Sequence, residues 1–302
     1  MTNTNKYLLE LIEKEISVKE ICNTFNISKK QLKRRLESIK YEGYDIKSKY
    51  SYNGEKNYYL NKEPCSKTDS NRVKIYNMNE KNFKAIAISD THYGHNKENF
   101  DYINMMFDYA EKNDIHIIFH LGDAMDGAAI SEYDYKKQIE KFLTRYPTSD
   151  NILTFLAFGN HEEDFTRNSS LNLNYIIEKE RDDIVPMGYG LSELDVETNK
   201  IFMCHQKNFD YEYGLKLAGH SHRYKFMVTQ SGPIVLVPTL SDYLHTTDYP
   251  GAIDIDIKID SKSNFTELFL KHLTINDNKI KETSIVIYPF KRDNKIRKRW
   301  NK

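Results

Sequence analysis

The sequence predicts an α/β (α+β) protein: two mixed β-sheets stacked and flanked by helices, preceded by a small unit of helices and a hairpin. Three observations carry this. From about residue 83, short apolar runs alternate with helix-length amphipathic stretches and then give way mostly to strands. The first 60 residues have another rhythm, with helical spacing, two capping signals and an Asn-Gly turn. Between the two, residues 61–72 are polar and aperiodic, as expected of a linker.

The elements follow in order. Leu8, Leu11, Ile12 and Ile16 share one face of a first helix. Ser17-Val-Lys-Glu20 is a capping box for a second helix that turns Ile21 and Phe25 inward. Ser28-Lys-Lys-Gln31 caps a third, with Leu32, Leu36 and Ile39 on its apolar side and a stop at Gly43. Asn53-Gly54 then turns a hairpin between Tyr-rich arms. Beyond the linker, strands are expected at 83–89, 115–121, 151–158, 200–205, 215–219, 234–238, 252–259 and 284–289, and helices at 97–112, 132–145 and 171–181. The expected domains are therefore 1–60, a linker at 61–72, a main domain at 73–290 and a basic tail at 291–302.

Composition is that of an ordinary globular chain, with 39 % hydrophobic and 29 % charged residues, which excludes a disordered or fibrous protein. Formal net charge is zero but unevenly laid out. Residues 1–62 carry +5, residues 63–290 carry −11 and residues 291–302 carry +6. An acidic body between basic ends argues against a core that grips polyanions all over its surface, and leaves the ends as nucleic-acid contacts. The three cysteines, Cys22, Cys65 and Cys204, form no CxxC pair and fit a reducing cytosol. No signal peptide opens the chain and no apolar run spans a membrane, so a cytoplasmic protein is expected.

The chemistry lies at the ends of the strands. Successive apolar runs end in Asp90-Thr-His92, Gly122-Asp123, Gly159-Asn160-His161-Glu162, His205 and Gly219-His220-Ser-His222. Strand carboxyl ends converge on the functional face of sheets with helical crossovers. Two of the motifs are X-any-X pairs, whose side chains leave one side of an extended backbone. The glycines before Asp123, Asn160 and His220 permit sharp turns there. Asp90, His92, Asp123, Asn160, His205, His220 and His222 thus form an oxygen and imidazole donor set without thiolates. Such a set suits Mn, Fe, Zn or a similar ion, and seven donors serve two divalent ions when one carboxylate bridges.

This order of motifs resembles the calcineurin-like metallophosphoesterase superfamily, over residues 83 to about 260. The resemblance implies that Asp90, His92 and His222 hold one metal, that Asn160, His205 and His220 hold the other, and that Asp123 bridges. It implies two divalent ions, manganese foremost, with iron, zinc, nickel and cobalt as alternatives. His161 is implied to be the acid beside the leaving group, with the Asp126 carboxylate orienting it. The implied reaction is hydrolysis of a phosphate ester by metal-activated water attacking in line. One departure stands out: fourteen residues separate His205 from His220, where relatives commonly carry a longer insertion with substrate contacts. Arg167, His95 and His245 are candidates to line the cleft. His116 and His120 read as structural, and Glu162 and Glu163 as supporting groups rather than ligands.

The front section resembles a winged helix-turn-helix. Its third helix carries Lys29, Lys30, Gln31, Lys33 and Arg34 near its start, a composition that suits entry into a DNA major groove, with Asn53-Gly54 as the wing. The basic tail is a second candidate arm. Three functional readings follow. The first is a phosphodiesterase or nuclease directed to DNA by its front unit. The second is a nucleotide or phosphoprotein phosphatase with that unit as a protein dock. The third is a DNA-binding regulator whose phosphoesterase fold is not catalytic, which the filled ligand positions and His161 speak against.

Overall fold

A computed structural model describes residues 3–61, 72–76, 80–128, 131–209, 212–243 and 249–290. The chain opens with helices α1 (Asn3–Glu13), α2 (Val18–Phe25) and α3 (Lys29–Tyr41). Both serines cap their helices, but only the second forms the full box expected from the sequence, because the Glu20 carboxylate takes the Ser17 hydroxyl in place of the Ser17 N–H. Ser17 Oγ accepts the Glu20 N–H at 3.2 Å, and Ser28 and Gln31 cap each other reciprocally. Leu8, Ile12, Ile21, Leu32, Leu36 and Ile39 close a small core with Ile46 and Tyr58 of the hairpin.

That hairpin, β1 (Ile46–Ser51) and β2 (Lys56–Leu60), turns at Asn53-Gly54, where Gly54 takes φ +77°. It does not stand apart. Strand β1 runs parallel to β3 (Arg72–Tyr76), with Lys49 opposite Lys74, so the hairpin forms one edge of a larger sheet. Residues 62–71, most of the expected linker, and the tail 291–302 lie outside the described residues.

The chain continues through β4 (Asn82–Ile88), α4 (Phe100–Lys112), β5 (Ile117–His120), α5 (Glu132–Arg145) and β6 (Leu153–Phe158). Next come α6 (Asn160–Asn168), α7 (Leu173–Glu180), β7 (Ile184–Tyr189), β8 (Ser192–Val196) and β9 (Asn199–Cys204). The last elements are β10 (Leu215–Ala218), β11 (Lys225–Thr229), β12 (Gly232–Leu236), β13 (Gly251–Ile259), β14 (Phe265–Asn276) and β15 (Lys279–Pro289). An eight-stranded sheet has the order β11-β12-β10-β9-β8-β3-β1-β2, and a seven-stranded sheet the order β15-β14-β13-β4-β5-β6-β7. Both are mixed, as expected.

Phe83, Phe119, Phe155, Met203, Leu217 and Ile255 fill the space between the sheets. Ile86, Met106, Phe142, Phe165 and Ile177 fill the layer under the outer helices. The strands between these layers are covered on both faces, which is why β5 and β6 read as unbroken apolar runs. Sequence periodicity misses β3, β7, β8, β11, β14 and α6. The last, Asn-His-Glu-Glu-Asp-Phe-Thr-Arg-Asn, has no apolar stripe and buries little beyond Phe165 and Glu162. No helix among the described residues is long and apolar enough to cross a membrane.

Candidate metal centre

Strands β4, β5 and β6 are parallel neighbours in one sheet, and β9 and β10 are parallel neighbours in the other. Their carboxyl ends deliver Asp90, Asp123, Asn160, His205 and His220 to one end of the sandwich. Main-chain bonds fasten the first two loops together, from Asp90 N to Gly122 O and from His92 N to Asp123 O, each 3.0 Å. Two triads of ligand atoms result, Asp90, His92 and His222 in one and Asp123, His205 and His220 in the other, and a third, His92, Asp123 and His161, lies between them. Five of the seven donors lie in the two groups that the resemblance implies, and Asp123, implied as the bridge, lies with His205 and His220 and also with His92. Asn160, the seventh, opens α6 with its Oδ1 buried.

The means of convergence differs from the sequence reading. Asp90, His92, Asp123, His220 and His222 all have left-handed backbones, with φ between +49° and +66°. Their side chains meet through tight turns, not through alternation along extended strands. Non-glycine residues occupy this region at a cost, and such strain gathers at functional sites. Gly122 shares the left-handed geometry (φ +93°), but Gly159 does not (φ −101°). Gly159 is required for close approach instead, because a Cβ there would lie 2.1 Å from Asp123 Oδ1.

Each acidic ligand spends one oxygen on the main chain and turns the other inward. Asp90 Oδ2 accepts the His220 N–H at 3.1 Å, and Asp123 Oδ1 accepts the His161 N–H at 3.0 Å. Asp90 Oδ1 and Asn160 Oδ1 are left buried without a hydrogen-bond donor among the described residues. Around Asp90 Oδ1 stand three ring nitrogens: His222 Nε2 at 3.3 Å, and His92 and His205 Nε2 at 3.9 Å. His222 Nδ1 donates to the Tyr243 carbonyl at 2.6 Å and His205 Nδ1 to the Leu121 carbonyl at 2.8 Å. In neutral imidazoles these bonds fix the tautomer and aim the Nε2 lone pairs inward. Lone pairs then face each other between His92 and His222 Nε2 at 3.3 Å, and His205 Nε2 faces Asp123 Oδ2 at 2.9 Å. Converging lone pairs and orphaned buried oxygens fit divalent cations, the charge that would satisfy them all.

The same carboxylates draw protons onto the imidazoles, positive charge that divalent cations would displace. Burial alone would raise the Asp90 carboxyl, yet the imidazoles of His222, His205 and His92 hold it well below the usual carboxylate range. Burial works downward on His205, but its bond to Asp123 and the charge of Asp90 push it up to about 9. Burial pushes His92 down to about 4 despite the same carboxylates.

His161 lies beside the second triad, its Nε2 3.8 Å from Asp123 Oδ2 and its ring 4.8 Å from that of His92. Its Nδ1 donates to the main-chain carbonyl of Asp126. The group that orients His161 is thus the Asp126 carbonyl, a correction to the expected carboxylate, whose Oδ1 lies 4.0 Å from His92 Nδ1. Arg167, in the last turn of α6, pairs with Glu163 at 2.6 Å and is largely exposed. His95 stacks on Tyr243, centroids 4.6 Å apart, beside His92; His245 lies outside the described residues. His116 is tied to Asn151 and Asp114, and buried His120 bonds Thr91 within the Asp-Thr-His turn.

Two residues support the site, Glu162 as expected from the sequence and Tyr243 without a sequence signal. Glu162, fully buried, accepts the N–H groups of Asp123, Met125 and Gly159. Tyr243 holds His222 through its carbonyl and packs its ring on His92 and His222. A glutamate beside a Gly-Asn-His motif was a visible hint; nothing local marked Tyr243.

Residues 83–214 match the model of the calcineurin-like phosphoesterase family. Asp90, His92, Asp123, Asn160 and His205 lie inside that stretch, and His220 and His222 follow just beyond it. The chain therefore carries a metal-dependent phosphoesterase domain. No curated protein matches the chain. Among solved structures it is similar to a conserved uncharacterized protein of Streptococcus pneumoniae TIGR4, a predicted phosphoesterase, at 13 % identity, 69 % of this chain, 98 % of that one and TM-score 0.39. It is also similar to Yfce, a phosphoesterase from E. coli, at 12 % identity, 67 % and 98 % coverage and TM-score 0.39. GAP50, the anchor in the inner membrane complex of Plasmodium, is similar at 8 % identity, 71 % and 91 % coverage and TM-score 0.46.

Proposed function

We propose, from the premise that residues 83–214 form a calcineurin-like phosphoesterase domain, that this protein is a phosphodiesterase acting on nucleic acid. In this reading Asp90, His92 and His222 would hold one divalent ion, Asn160, His205 and His220 would hold a second, and Asp123 would serve both. The observation that carries the reading is the pair of ligand-atom triads with their inward, unsatisfied donors. Two bound divalent ions, manganese foremost, would supply Lewis acidity and an activated water. The chain's own residues do the rest. Asp90 and Asp123 hold their inward oxygens fixed because main-chain N–H groups occupy the outward ones. His161, its Nδ1 proton given to the Asp126 carbonyl, presents Nε2 beside Asp123, where it protonates the leaving oxygen of the ester.

The amino-terminal unit is the part that engages DNA in this reading, with Lys29, Lys30 and Arg34 exposed on α3. The acidic body favours a second reading, in which small phosphate esters such as nucleotides are the substrates. Purified protein with manganese, assayed on a bis-ester, a mono-ester and DNA, with and without chelator, decides between them. Chelator-sensitive diester and DNA turnover supports the first. Turnover confined to mono-esters supports the second, and no turnover with any divalent ion refutes both.

A further inference from the structure

One lysine of the basic helix α3 is tied to the body of the protein. Lys33 Nζ donates to the Glu178 carbonyl of α7 at 2.8 Å and pairs with the Asp182 carboxylate just beyond that helix. These contacts set α3 across from α7, over the open edge of the sandwich, where β7 ends one sheet and the β1–β2 hairpin ends the other. Between them runs a groove of about 330 Å³. Its lining has seven basic side chains against three acidic ones, in a molecule whose residues 63–290 sum to −11. Asp183 and three main-chain carbonyls hold Arg181, and Asp182 holds Lys33. Lys30, Arg34 and Lys40 form no ion pair among the described residues. Half-buried Lys56 stands with its ammonium over the Tyr50 and Tyr58 rings, at 5.8 and 5.2 Å. On the facing wall, α7 presents Tyr175, 59 % exposed, and Lys179.

We propose that this groove binds a single nucleic-acid strand, with Lys30, Arg34 and Lys40 along its phosphates and Tyr175 under a base. The proposal rests on the nucleic-acid reading above and names the form of nucleic acid and where it is held. Basic side chains interleaved with accessible aromatic rings are the requirement for strand binding, because every base has a face to stack and every linkage a charge. A duplex does not fit the same place. Reading a major groove takes a helix that can enter a channel about 12 Å wide, and Lys33 ties α3 to α7 and Asp182 along the side where this groove lies. The groove is also remote from the metal centre. It follows Ile184–Pro186, the first half of β7, whereas the ligands sit at the opposite ends of β4, β5 and β6. Six residues of β6 separate the two ends, roughly 20 Å at the strand rise, so the groove anchors the strand and does not cleave it.

The test is fluorescence anisotropy of the full chain in excess chelator, with a labelled 20-nucleotide thymidine strand and a duplex of equal length. The strand should bind at least ten-fold more tightly than the duplex. The slope of log K against log salt should be about −2, from three phosphate contacts at roughly 0.7 each. Lys30→Glu with Arg34→Glu should weaken strand binding more than ten-fold, and Tyr175→Ala about ten-fold, with melting temperatures showing that the variants remain folded. Duplex bound as tightly as strand overturns the proposal, as does strand binding indifferent to these substitutions. Displacement by polyglutamate of matching charge at equal concentration overturns it in favour of an acidic protein partner. Hydrolysis of a small bis-ester by the wild-type protein, measured in parallel with manganese, separates the two ideas. Bis-ester turnover without strand binding sinks the groove alone; strand binding without turnover sinks the phosphodiesterase reading and leaves the groove standing.

Discussion

Glu162 Oε2 accepts the main-chain N–H of Asp123 at 2.9 Å, so the proposed bridging residue is held by a side chain two positions after another proposed ligand, Asn160. The same oxygen takes the Gly159 N–H at 2.7 Å, and Oε1 takes that of Met125 at 2.8 Å. One buried carboxylate thus sets the spacing between the β5 and β6 loops. In Glu162→Gln the amide offers one oxygen where two are needed, and its NH2 faces main-chain donors. Groups that support metal ligands are worth about ten- to a hundred-fold in metal affinity. Calorimetric titration with manganese should show a loss of that size; unchanged affinity would remove Glu162 from the centre.

At His220 the backbone has φ +66°. A left-handed conformation costs a residue with a Cβ about 1–2 kcal/mol, and glycine almost nothing. Both His220→Ala and His220→Gly remove the imidazole, but only the second relieves the backbone. Metal-free His220→Gly should therefore melt above metal-free His220→Ala, the reverse of the usual order of these residues. An alanine variant at least as stable as the glycine one would show the turn to be unstrained.

If His161 protonates the departing oxygen, its removal should matter in proportion to how poor the leaving group is. His161→Ala should lose about 10²–10⁴-fold on an alkyl ester and much less on a nitrophenyl ester. Equal losses on both would assign His161 to binding or folding instead.

Lys216 lies inside β10, 1 % exposed, and donates to the carbonyls of Glu212 and Ser231. Burial pushes its ammonium down to about 8, while an unfolded lysine titrates near 10.4. Between those values the unfolded chain holds more protons, so this residue's contribution to stability rises with pH. The melting temperature of the wild type relative to Lys216→Met should climb from pH 8 to pH 10. A flat or falling difference would mean that the buried amine stays charged.

The hairpin places Tyr50 against Phe155 and Tyr52 against Phe83, ring centroids 5.3 and 5.1 Å apart. Residues 1–60 therefore contribute to the core between the sheets as well as to their own. A chain lacking them should lose cooperative unfolding or fall out of solution, because β3 becomes an open edge and two aromatic sockets empty. Recovery of a cooperatively melting, metal-binding remainder would show the front unit to be separable.

The sequence by itself determined what is local. The N-cap at Ser17, the capping box at Ser28, the Asn-Gly turn and the strand–helix alternation are set by neighbours a few residues apart, and the structure follows them. The identity and order of the donors were also legible, because each stands where an apolar run ends. Other features depended on contacts far apart in the chain. The left-handed turns at Asp90, His92, His220 and His222 stand where the ends of β4 and β5 in one sheet meet the end of β10 in the other, so closely that a Cβ at Gly219 would lie 1.9 Å from Ser89 Oγ. Asp126 serves His161 through a carbonyl, a group every residue has and no motif can announce. Helix α6 has no apolar stripe of its own and is held by what surrounds it, and Lys33 of α3 turns toward α7 because it finds Asp182 there. Pattern reports which side chains are available; only packing decides which surface each one meets.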